Sequence, residues 1–201
     1  PYSHKLHYED RLRPKGNTTA LAFGIAIDEA LNSLLMNGGK TISTFNKVLG
    51  DEFTKDTSVD FKDLDLDIIG EQHKPLRTRL RYKGFHGLDE LDKYAVQRLA
   101  KESLTFVGHT LLKGYRDRML PLIEKVYFVQ QETPDRPGIM DAGLKIKGYG
   151  DCLIDHKTAG LAYKDDQVLW DTQLALYDGQ SDYPNAGFIV MVKQLDRSKE
   201  K

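Results

Sequence analysis

Residues 139–157 read IMDAGLKIKGYGDCLIDHK, and the fold turns on how this stretch divides. Ile139–Lys147 predicts a strand, Gly148-Tyr149-Gly150-Asp151 a hairpin turn, and Cys152–Lys157 a second strand whose apolar start suits the middle of a sheet. Asp141 and Asp155 stand fourteen residues apart across that turn. Pairing through it brings the two carboxylates together, and strand alternation puts Lys157 on the face of Asp155. Two acids and an ammonium gathered at one spot are costly to bury. They suit a divalent cation with oxygen ligands, Mg²⁺ or Mn²⁺, and chemistry on a phosphate. The competing reading is a surface hairpin with an ordinary Asp–Lys cross-strand pair.

Working outward, Lys125–Glu132 (KVYFVQQE) alternates and is rich in β formers, and Thr133–Gly138 (TPDRPG) predicts a turn. Downstream, residues 166–178 (DQVLWDTQLALYD) return to helical spacing, with Val168, Leu169, Gln173, Leu176 and Tyr177 along one side. Gln173 and Tyr177 are one turn apart and share a face, either to hold a phosphate or base or as ordinary helix packing. Ala186–Val192 (AGFIVMV) predicts a last, buried strand. At the other end, residues 20–37 form an amphipathic helix stopped by Gly38-Gly39. The intervening residues read as mainly helical: a turn around Asn46, a helix from Asp89 to Leu104, and another from Phe106 to Leu120 before Pro121. The expected architecture is an α/β sandwich around a mixed sheet flanked by helices. It forms a single domain with an N-terminal helix motif (1–39), a helical insertion (40–120) and a sheet-bearing part (121–201).

With 40% hydrophobic and 29% charged residues in 201, the composition is that of an ordinary globular domain. No apolar run approaches the roughly 18 residues that cross a bilayer, and no secretory leader is visible. The single cysteine, Cys152, excludes an internal disulfide framework and an all-cysteine cluster within this chain, and points to the cytoplasm. A net charge of −1 gives no global signal for nucleic acid, but charge is segregated. Residues 51–71 are strongly acidic. Lys74, Arg77, Arg79, Arg81 and Lys83 follow with no acid between them, a candidate contact for a phosphate backbone or else a solvated face. Gly38-Gly39-Lys40-Thr41 is no P-loop, because Leu34 stands where its first glycine belongs. The acidic run offers no register for a calcium loop, and the histidines lack paired ligand spacing. Cys152 reads as a small buried hydrophobe.

Taken in order, Gly138–Asp141 (GIMD), Leu153–Thr158 (LIDHKT) and Gln173–Tyr177 (QLALY) resemble motifs II, III and Q-x-x-x-Y of the RecB-like PD-(D/E)XK nucleases. Phe23–Leu31 (FGIAIDEAL) resembles the helix motif of that family, written G-x-x-x-H-E, and Tyr8–Gly16 its lead-in. The resemblance touches both ends of the chain and leaves residues 40–120 unaccounted for. It implies a restriction-endonuclease-like core and a metal-dependent deoxyribonuclease, an exonuclease acting on DNA ends or single strands in recombination, repair or phage DNA metabolism. It also implies that Asp141, Asp155 and the backbone carbonyl of His156 are metal ligands and that Lys157 is the catalytic lysine. Gln173 and Tyr177 would hold the DNA. The chain departs from the pattern at Asp28, which replaces the metal-binding histidine; aspartate is itself a hard ligand suited to Mg²⁺. With one cysteine, no iron–sulfur cluster is expected. The alternatives are a catalytically degenerate fold that binds DNA, and a structure- or site-specific endonuclease.

Overall fold

In a computed structural model of the chain, the described residues are 17–53, 57–58, 90–133, 138–160, 162–164, 171–179 and 181–193. The first long element is α1 (Thr19–Asn37), preceded by β1 (Asn17–Thr18). Thr18 caps it, its hydroxyl accepting the Leu21 N–H at 3.2 Å. Gly38 ends it in the left-handed region (φ 65°), its N–H returning to the Leu34 carbonyl. Ala22, Phe23, Ala26, Ile27, Ala30, Leu31 and Leu34 are buried, the three-and-four spacing of a helix with one face in a core. Thr19–Met36 is 18 residues long with a mean hydropathy of 1.3, so the chain does contain a run long and apolar enough to cross a membrane by that test. Half of that run is buried inside the fold.

Against α1 lie α2 (Thr41–Phe53) and α3 (Glu90–Arg118); β2 (Thr57–Ser58) pairs in parallel with β1. Phe45 of α2 packs edge-on against Phe23 and His109, each at 5.9 Å between ring centroids. Two expectations fail here. Asn46 is inside α2, bonded to His109 Nε2 at 2.8 Å, rather than in a turn. The helices expected at 89–104 and 106–120 are one continuous helix. Val96, Leu99, Leu104, Leu112 and Tyr115 keep one buried stripe through the supposed break, and the Thr105 hydroxyl bonds back to the Lys101 carbonyl without interrupting the helix.

A short 3₁₀ turn at Leu120–Leu122 leads into β3 (Ile123–Glu132), then β4 (Ile139–Ile146), β5 (Gly150–Ala159), α4 (Thr172–Asp178) and β6 (Asn185–Val192). The sheet order is β3-β4-β5-β6. The first three strands are antiparallel and β6 runs parallel to β5, a mixed four-stranded sheet. The β4–β5 turn uses Gly148 (φ 85°) and Gly150 (φ 78°), conformations that glycine adopts without steric cost. One sheet face buries Ala142, Leu144, Ile146, Cys152 and Ile154 against Leu35 of α1. The opposite face packs Met140 and Leu153 with Tyr177 of α4. The fold is therefore α/β, a mixed sheet flanked by helices. Helix α4 is shorter than predicted because Asp171 caps it, accepting the Leu174 N–H at 2.8 Å; Val168 and Leu169 lie outside the described residues. β6 is half-buried rather than buried, with only Met191 enclosed.

Candidate metal centre

The register of the sheet assembles the site. β4 and β5 pair as far as Ala142 with Ile154, and Asp141 and Asp155 are the next residue on each strand. β3 and β4 pair Val129 with Ala142 and Gln131 with Met140, so Gln130 falls opposite Asp141. β5 and β6 pair Asp155 with Phe188. Gln130, Asp141, Asp155 and Phe188 thus stand at neighbouring positions on successive strands. Above it passes α1, with Gly24 and Asp28 one turn apart on the face toward β5. A Cβ on Gly24 would come to 3.9 Å from the Thr158 hydroxyl. Asp28, Asp141, Asp155, His156, Lys157 and Gln173 line one cleft of about 320 Å³, at the small end of ligand sites.

Each polar group has a defined contact. Asp141 Oδ2 accepts the His156 backbone N–H at 2.8 Å. Asp155 is 3% exposed. Its Oδ2 is 2.7 Å from Lys157 Nζ, the closest ion pair of the cleft. Lys157 Nζ also donates to Gln173 Oε1 at 3.3 Å, and Gln173 Nε2 donates to the Tyr177 hydroxyl at 2.8 Å. Tyr177 closes this chain against Gly138, where a Cβ would come within 3.0 Å of the tyrosine ring. Asp28 Oδ2 accepts from Gln130 Nε2 at 2.6 Å. Gln130 has a left-handed backbone (φ 51°), a conformation that costs a non-glycine residue about 1 kcal/mol or more.

Burial sets the electrostatics. It raises the Asp141 carboxyl to about 7, reinforced by the charges of Asp155 and Asp28 and opposed by the His156 N–H and Lys157. Burial likewise raises Asp28, with help from Glu29 and Asp155 and against the Gln130 hydrogen bond. Asp155 is raised by burial despite its contact with Lys157. On Lys157, burial pulls downward, but the negative charges of Asp155, Asp171 and Asp141 prevail and hold it above the usual ammonium value. The His156 ring is enclosed and lowered to about 4 by burial, hence neutral, with Nε2 against the Tyr115 hydroxyl at 3.0 Å.

Three carboxylates facing one ammonium repel one another, and a dication offsets that repulsion. One ligand atom each from Asp28, Asp141 and His156 lie within 4.8 Å of one another, close enough to share an ion. Asp155 is not in that group, although its charge raises both other acids. Two of the three donors in that group are carboxylate oxygens and the third is an imidazole nitrogen. A larger groove of about 950 Å³ runs between the end of α3 and β5–β6. Among the described residues that line it, Arg118 has the one charged side chain, whereas the smaller cleft gathers three acids and a lysine.

The structure brings together Asp28, Asp141, Asp155, His156, Lys157 and Gln173, with Tyr177 joined through Gln173. At His156 the contacts observed are those of its N–H and ring, whereas the expected ligand is its carbonyl. Lys74, Arg77, Arg79 and Arg81 lie outside the described residues. Sequence reasoning does not reach Gln130, Tyr115 or Asp171. Only Asp171 carries a local signal, as an acid just ahead of a helix. No family model matches the chain, and no curated protein or solved structure matches it.

Proposed function

We propose that this chain is the nuclease core of a RecB-like PD-(D/E)XK enzyme that hydrolyses phosphodiester bonds of DNA ends or single strands, in recombination, repair or phage DNA metabolism. The observation that carries the reading is the convergence of side chains from α1, β4, β5 and α4 on one cleft. The order of three helices, three strands, a helix and a last strand supports it as well.

Asp28, Asp141 and Asp155 are the residues that would hold Mg²⁺ or Mn²⁺. When bound, such an ion polarises the phosphate and makes water a stronger nucleophile at neutral pH. Lys157 serves as a cation rather than as a base, since the surrounding acids keep it protonated. Its ammonium offsets the negative charge that builds on the phosphate oxygens during attack. Gln173 aims the ammonium and Tyr177 aims Gln173, so the α4 pair fixes the lysine. Asp141 is kept in place by the His156 N–H.

End-labelled linear single-stranded DNA, incubated with Mg²⁺ or Mn²⁺ beside a closed circle of the same sequence, tests the reading. Degradation of the linear strand to short products, resistance of the circle, and a loss of roughly 100-fold or more in Lys157→Ala are expected. Failure of both metals on both substrates overturns the enzyme in favour of a DNA-binding module. Cutting of the circle overturns the exonuclease in favour of an endonuclease.

A further inference from the structure

We propose that Gln130 is a positioning residue for the cation site, held in a left-handed backbone so that its amide can fix the Asp28 carboxylate. This rests on reading the cleft as a metal centre.

Among the described residues Gln130 is the one non-glycine with a positive φ, at 51°. Side chains rarely adopt this conformation unless something nearby rewards it. Nothing in the core does so, because Gln130 is exposed. The register offers no reason either. β3 has irregularities earlier, between Ile123 and Lys125 and between Val126 and Phe128, but Val129 and Gln131 flank Gln130 in one unbroken register with β4. The left-handed residue therefore accommodates no inserted residue. It does re-aim a side chain. The Gln130 Nε2 reaches Asp28 Oδ2 at 2.6 Å, a contact spanning 102 residues of chain.

The consequence falls on Asp28. Its helix is anchored by Phe23, Ile27 and Leu31, all buried, so the Asp28 backbone is already fixed. What remains free is the rotation of a short carboxylate. A donor on Oδ2 removes that freedom and leaves the other oxygen to face the ion. Outer partners of this kind tune ligand orientation, and their loss typically weakens metal binding by about 10- to 100-fold. A purely structural role is the competing reading: among the described residues β3 is an edge strand, and a left-handed residue twists an edge against unwanted pairing.

The two roles separate when Mn²⁺ affinity, by titration calorimetry, and the melting temperature of the metal-free protein are measured together. Gln130→Gly relieves the backbone conformation and removes the amide. Gln130→Asn keeps an amide and tolerates the left-handed region, but is one methylene too short to reach Asp28. We expect Mn²⁺ affinity to fall about tenfold in both, with the glycine variant melting no lower than wild type. Should glycine loosen the edge strand, the asparagine variant still reports the affinity. Wild-type affinity in both variants, with or without aggregation or a lowered melting temperature, overturns the role of Gln130 while leaving the metal centre standing. Absence of Mn²⁺ binding in the wild type overturns the metal centre and this inference with it.

Discussion

The Asp141 carboxylate leaves β4 and accepts the main-chain N–H of His156 at 2.8 Å, on the strand that carries Asp155 and Lys157. One hydrogen bond thus fixes the separation of two acids that, at this depth, repel each other. Without a cation the arrangement works against stability, and burial raises all three carboxyls.

Asp141→Asn separates those effects. The side-chain oxygen of asparagine still accepts the His156 N–H, while the charge that opposes Asp155 and Asp28 is gone. The metal-free variant should be more stable than wild type by about 1 kcal/mol, the order of one like-charge contact removed from a partly buried site. Its Mn²⁺ affinity should fall more than tenfold. Thermal melts with and without Mn²⁺ read both; a lower melting temperature with unchanged metal response would count against a shared cation site.

The raised carboxyls also fix a pH dependence. Asp141 ordinarily loses its proton near 3.8 and in the fold near 7, so between these values the folded state holds a proton that the unfolded chain has released. Stability of the metal-free protein therefore declines as pH rises from about 4 to about 7. Cation binding needs the carboxylate, so Mn²⁺ affinity strengthens as pH rises through about 7, with release of protons. Calorimetry in two buffers of different ionisation enthalpy measures that release. Identical heats in both buffers would contradict it.

The helical layer makes its own prediction. A Cβ on Gly108 of α3 would lie 2.1 Å from the Phe45 ring, which is fully buried and clamped by Phe23 and His109. Gly114, further along the same helix, has nothing within 4 Å of that position. Gly114→Ala should stabilise the helix by up to about 1 kcal/mol. Gly108→Ala should destabilise by roughly 2 kcal/mol, as overpacking outweighs the same propensity gain. Denaturant melts giving both shifts the same sign would show that Gly108 does not sit under Phe45.

Local pattern alone carries much of the fold and of the site. The paired strands around Gly148–Asp151, the α1 helix with its Gly38 stop, and the pairing of Asp141 with Asp155 are legible in the residues themselves, whereas Asp28 enters only through the resemblance to the nuclease helix motif. At α3 the pattern misleads, because Thr105, a weak helix former between Leu104 and Phe106, resembles a boundary; only the buried stripe on either side shows that it is not one. Gln130 and Tyr115 are invisible to such reasoning. Their partners are Asp28 and His156, 102 and 41 residues distant, and a glutamine in an alternating strand or a tyrosine in a helix carries no mark of that. The half-buried run in β6 reads as core because its apolar composition says nothing of what covers it.

That Asp28, Asp141 and Asp155 share one divalent ion is best examined by anomalous scattering from Mn²⁺-soaked crystals. A manganese peak is expected in the α1–β4–β5 cleft within coordination distance of all three side chains, beside the Lys157 ammonium. A peak elsewhere, or none at a concentration that supports DNA hydrolysis, would contradict the shared site.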